Sequence, residues 1–97
     1  MDQNSRIAIV GVGEVGGTVA YNLTLNSIAS ELLLVDVDLN VRNSQAEDLS
    51  DAAFCTNSIT QIRPATYREA SQSDIVVITA APRHTLGMRS RLSMFRD

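Results

Sequence analysis

Ninety-seven residues provide for one small domain and leave no room for a second core. A hydrophobic share of 44% with 20% charged residues is ordinary for a globular chain, and the net charge of −3 argues against general nucleic-acid binding. No apolar run is long enough to span a bilayer, the polar start Met1–Arg6 lacks signal-peptide character, and one cysteine excludes an internal disulfide. These features point to a reducing cytoplasm, with neither nucleic acid nor membrane as a partner and no metal site. Cys55 reads as a small, half-buried residue without a catalytic role.

Ile7-Ala8-Ile9-Val10 is a short apolar run, rich in β-branched residues, that suits a strand buried on both faces. Gly11, Gly13 and Gly16 follow it as G-x-G-x-x-G at a strand-to-helix junction. Gly11 permits a tight turn, Gly13 lets the backbone approach a pyrophosphate, and Gly16 lets the new helix lie close to the sheet. The N–H groups of that helix's first turn, from Val12 through Glu14 and Val15, would face the phosphates. Val15, Val19 and Leu23 recur every four residues and predict an apolar stripe along the helix. Leu32-Leu33-Leu34-Val35 is a second strand run, and Asp36 ends it, 20 residues after Gly16. A carboxylate there can accept hydrogen bonds from the adenosine ribose hydroxyls and would repel a 2′-phosphate. No arginine follows in Val37–Val41, so the expected cofactor is NAD rather than NADP. The competing reading has the glycines serving packing alone and Asp36 as a surface charge.

Asn40 can cap a helix from about Val41 to Phe54, with Ala46, Leu49 and Ala53 on one side. Cys55–Asn57 reads as a turn and Ser58–Ile62 as a short strand ended by Pro64. Thr66 can cap a brief helical segment through Ala70, and Ile75–Thr79 is a third strongly buried strand run, closed by Pro82. The order β-α-β-α-β-α-β, with long crossovers, predicts an α/β fold: a Rossmann-type doubly wound parallel sheet. Its four strands form an incomplete version in which the last lies beside the first. The free edge at Ile75–Thr79 would be covered in a complete protein, so the chain reads as the front portion of something larger. That edge could also support self-association.

Taken together, GVGEVGGTVAYNL, ELLLVDVD, the Gln45–Asp51 helix and DIVVITAAPR resemble the N-terminal NAD-binding domain of the lactate/malate dehydrogenase family. The resemblance covers essentially the whole chain, 1–97, and implies a catalytic domain beyond it. It makes Thr79-Ala80-Ala81 the turn under the nicotinamide half of NAD, with Ala81 in place of the usual glycine. It places Arg83 where an arginine approaches the cofactor phosphates, and His84 at the position that discriminates substrates. Lactate enzymes have glutamine there and malate enzymes arginine, so His84 matches neither. A one-residue insertion would make Arg91 the catalytic, substrate-polarising arginine of the mobile loop, with Arg89 as the alternative.

The chemistry this resemblance implies is hydride transfer between nicotinamide and C2 of a small 2-hydroxy or 2-oxo acid, lactate- or malate-like. The histidine–aspartate pair that moves the hydroxyl proton belongs to the family's second half. His84, the one histidine, lies in the loop and has no carboxylate to orient it, so these 97 residues alone should bind cofactor without turnover. A non-catalytic NAD-binding remnant that senses cofactor or docks on a relative is the alternative. A methyltransferase also fits the first two motifs but not TAAPR or the arginine-rich loop.

Overall fold

The computed structural model describes residues 5–79. Four parallel strands form one sheet in the order β3-β2-β1-β4: β1 Arg6–Val10, β2 Glu31–Val35, β3 Gln61–Pro64 and β4 Ile75–Ile78. Helix α1 (Glu14–Leu25) follows β1, α2 (Leu39–Cys55) follows β2, and the single turn α3 (Tyr67–Ala70) precedes β4. The doubly wound α/β expectation is met.

Alternation along the two central strands builds two cores. Ile7, Ile9, Leu32 and Leu34 point to the side covered by α1 and α2, where Ala20, Ala46 and Leu49 meet them. Ala8, Val10, Leu33 and Val35 point to the other side, against Ala65, Ala70 and Tyr67. Strands enclosed on both faces need continuous apolar sequence, which is why β1 and β2 read so clearly.

Several expectations are corrected. The buried face of α1 is Gly16, Gly17, Ala20 and Thr24. Val15 is 55% exposed, and Val19 and Leu23 only flank the core, because the small residues let the helix backbone approach the sheet. Helix α2 begins at Leu39 under Asp38, whose Oδ1 accepts from the N–H groups of Asn40 and Val41; Asn40 is not the cap. Strand β3 starts at Gln61 rather than Ser58. Residues 56–58 instead end α2, with Asn57 at φ 56° and the Ser58 N–H bonded to the Ala53 carbonyl. Pro64 is the last residue of β3, on a sheet edge where its missing N–H removes no ladder bond. Strand β4 is not strongly buried: Ile75, Val76 and Ile78 are exposed and Val77 alone packs on the core. It occupies the other edge, with no partner on its outer side among the described residues. Cys55 is exposed rather than half-buried.

A polar cluster around Arg63 of β3 should make the stability of the fold depend on pH. Arg63 binds Glu69 through Nη1 at 2.8 Å and Glu31 through Nε at 3.2 Å. Glu69 also closes a capping box with Thr66 at the start of α3. The Arg63 hydrogen bond, then the Thr66 backbone N–H, hold the Glu69 carboxyl below its ordinary value. A depressed folded-state value stabilises the fold above the unfolded glutamate's range, about 4.3, and that contribution disappears as pH falls through the folded value. Glu69→Gln should therefore lower the urea midpoint at pH 7. The gap from wild type should close as pH drops below about 4. A pH-independent gap in urea titrations would refute this account.

Candidate functional site

Register alone brings three of the candidate residues together. Val10 pairs with Val35 on one side and with Ile78 on the other. The next residue out of each strand is Gly11, Asp36 or Thr79, so all three stand at the carboxyl edge of the sheet. The Gly11 N–H bonds to the Val35 carbonyl at 2.8 Å, and the Thr79 N–H bonds to the Val10 carbonyl at 2.9 Å. The chain moves outward from β1 to β2 to β3, then crosses back to β4 on the far side of β1. The reversal of winding thus falls between β1 and β4, where open α/β sheets form a ligand crevice.

The glycine-rich segment opens α1 on bare backbone. Gly11 has φ +91°, and a Cβ on it would overlap the Thr79 carbonyl oxygen. A Cβ on Gly16 would overlap the Gly11 carbonyl oxygen and lie 2.8 Å from Thr79 Oγ1. Gly13 is the N-cap, and among the described residues no side chain caps this helix end. The Gly17 N–H makes the first helical bond, to the Gly13 carbonyl at 2.8 Å. The N–H groups of Glu14, Val15 and Gly16 come before that bond and have no intrahelical acceptor. Both Glu14 and Val15 are exposed, so this end of the helix is open to solvent. Uncapped donors and the positive end of the helix dipole suit a phosphate.

Asp36 is 5% exposed, which excludes the reading of it as a surface charge. Its Oδ2 accepts from the Val12 N–H and its Oδ1 from the Asp38 N–H, both at 2.9 Å. A carboxylate has about four acceptor positions, and these two bonds fill two of them. Arg42, the nearest cation along the chain after Asp36, donates to the Ala65 carbonyl and to Asn43.

Bare backbone at Gly13, free first-turn donors and an anchored carboxylate one strand away fit the pyrophosphate and ribose of a dinucleotide. Gly11 through Gly16, Asp36 and Thr79 are brought to one edge. Ala80, Ala81, Arg83, His84, Arg89 and Arg91 lie outside the described residues. Sequence reasoning missed two contacts. Gln45 of α2 reaches over Gly17, where a Cβ would lie 2.6 Å from its Nε2, and the Thr79 hydroxyl donates to the Gly11 carbonyl. The Gly16-Gly17 doublet signalled the first, since two adjacent glycines inside a helix demand close neighbours.

The sequence pattern of the lactate/malate dehydrogenase NAD-binding domain matches residues 5–97. L-lactate dehydrogenase A of Rhizopus oryzae is 43% identical over 84 residues, covering 87% of this chain and 26% of that protein. An L-lactate dehydrogenase of Clostridium botulinum is 39% identical over 83 residues, covering 86% of this chain and again 26% of its own length. The chain therefore spans about a quarter of these relatives. Among solved structures, lactate dehydrogenase of Cryptosporidium parvum, complexed with lactic acid and NAD, superimposes with TM-score 0.74 at 28% identity. That match covers 84% of this chain and 26% of the other. The minor L-lactate dehydrogenase of Enterococcus mundtii gives TM-score 0.78 at 27% identity over 97% of this chain and 32% of its own.

Proposed function

The chain belongs to the lactate/malate dehydrogenase family through that family's NAD-binding domain, and from this we propose that it forms the cofactor half of an L-2-hydroxy-acid dehydrogenase. The observation that carries the reading is the buried Asp36 carboxylate joined to the glycine turn beside an uncapped helix end. Bound there, NAD supplies the hydride acceptor for oxidation of a lactate- or malate-like hydroxy acid. Gly11, Val12 and Gly13 shape the turn, and the backbone of Glu14, Val15 and Gly16 holds the pyrophosphate. Asp36 takes the adenosine ribose hydroxyls and disfavours a 2′-phosphate. The family resemblance assigns Thr79, Ala80, Ala81 and Arg83 to the cofactor and His84 and Arg91 to the substrate acid.

Gly13→Val separates binding from folding. At φ −71° and ψ −145° Gly13 is not left-handed, so the sign of φ does not exclude a side chain there. It would, however, enter the space a pyrophosphate needs. Titration should show NAD bound by the wild type, in preference to NADP, and lost in Gly13→Val while circular dichroism is unchanged. Undiminished NAD binding by the variant would place the phosphate site elsewhere.

A further inference from the structure

The Gly11–Val12 peptide is held at both of its polar ends by side chains from different strands. Its carbonyl oxygen accepts the Thr79 hydroxyl at 2.5 Å, from just past β4. Its N–H donates to Asp36 Oδ2 at 2.9 Å, at the end of β2. The Val12 side chain is fully buried beside it. Of the two residues that flank this peptide, Gly11, at φ +91°, is the one whose backbone would allow the plane to rotate easily. Rotation would break both bonds together. The same carbonyl is the surface on which Gly16 rests, so its direction also sets where α1 begins.

We infer that Thr79 is a positioning residue for phosphate binding: its hydroxyl fixes the Gly11–Val12 peptide and thereby aims the first turn of α1. The inference rests on the proposed role of that turn and adds a residue that acts through it. The hydroxyl hydrogen is already donated to Gly11, so Thr79 works on the dinucleotide through the backbone. Threonine suits the task because its hydroxyl reaches the turn while its N–H continues the pairing with β1.

Thr79→Val replaces the hydroxyl by a methyl group that cannot hydrogen-bond, and Thr79→Ser retains the hydroxyl. At a temperature where circular dichroism shows each protein folded, Thr79→Val should bind NAD about 10-fold more weakly, the effect of one lost hydrogen bond. Thr79→Ser should bind within a factor of about two, given the hydroxyl it keeps. Phosphorus NMR of bound NAD should show displaced pyrophosphate resonances in the valine variant and wild-type resonances in the serine variant, which a loss of global stability alone would not produce. Wild-type affinity and resonances in Thr79→Val overturn the inference, as does a serine variant that behaves like valine. If the valine variant does not fold, Thr79→Ala is read by the same criteria, and failure of both to fold makes the hydroxyl a folding determinant and refutes the positioning role. A wild type that does not bind NAD overturns the dehydrogenase reading itself, a result distinct from either outcome at position 79.

Discussion

Gly16→Ala is expected to lower stability by about 3 kcal/mol, at the upper end of what overpacking produces. Its neighbour Gly17→Ala should be close to neutral. Both glycines lie buried on the same helix, and propensity alone predicts that alanine stabilises each by roughly 1 kcal/mol. Packing separates them. The added carbon at Gly16 would overlap the Gly11 carbonyl oxygen and approach the Gly11 carbonyl carbon at 2.9 Å. That backbone is fixed by the Gly11 N–H bond to Val35 and by the Thr79 hydroxyl, so the helix must move instead. Moving α1 pulls Ala20 away from the core of Ile7, Ile9, Leu32 and Leu34. At Gly17 the added carbon meets only the amide end of Gln45, which can swing aside. Denaturant unfolding of the two variants decides the matter, and equal losses would show that the approach of α1 to β1 is not held by Gly11. Displacement of α1 should also carry its first-turn donors out of place, so Gly16→Ala should bind NAD poorly even where it remains folded.

The contrast between the two glycines shows which features local sequence could reveal. Strands β1 and β2 are enclosed on both faces, and unbroken apolar runs are the only sequences such positions accept. The glycine spacing and Asp36 were legible for a related reason, because a tight turn, a close helix and a terminal carboxylate occupy fixed offsets in a βαβ unit. The face of α1 was not legible from apolar spacing. Val15, Val19 and Leu23 mark the hydrophobic residues, but closeness to the sheet selects small ones, so the buried stripe runs through Gly16, Gly17, Ala20 and Thr24. The start of β3 depended on long-range partners as well. The Ser58 hydroxyl is drawn to the Thr24 carbonyl and the Thr60 hydroxyl to the Ala29 carbonyl, 34 and 31 residues away in sequence. The position of Asp36 at the end of β2 points to a ribose ligand, but its bond to the Val12 N–H joins segments 24 residues apart and has no sequence signature.

That bond gives Asp36 two duties, and the second large effect follows from them. Asp36→Ala should lose about 3 kcal/mol of stability along with the preference for NAD, since a hydrogen bond to a charged group is worth roughly 1.5–3 kcal/mol and two are removed. Both acceptors serve backbone N–H groups, of Val12 and Asp38, and the Val12 group is buried with no other partner to turn to. Asp38 in turn caps α2, so a loosened Asp38 backbone threatens the start of that helix. Asp36→Asn tests the geometry more finely. It keeps the size and one acceptor oxygen, but its NH2 must face either the Val12 or the Asp38 N–H, so one bond becomes a donor–donor clash. The asparagine variant should therefore recover little of the lost stability. For the same reason, substitutions at Asp36 aimed at admitting a 2′-phosphate should weaken the turn before they improve NADP binding. Melting curves read beside titrations with NAD and NADP separate the two duties. A stable Asp36→Ala protein that merely loses cofactor preference would confine Asp36 to the ribose, and equal wild-type affinity for both cofactors would remove it from the ribose altogether.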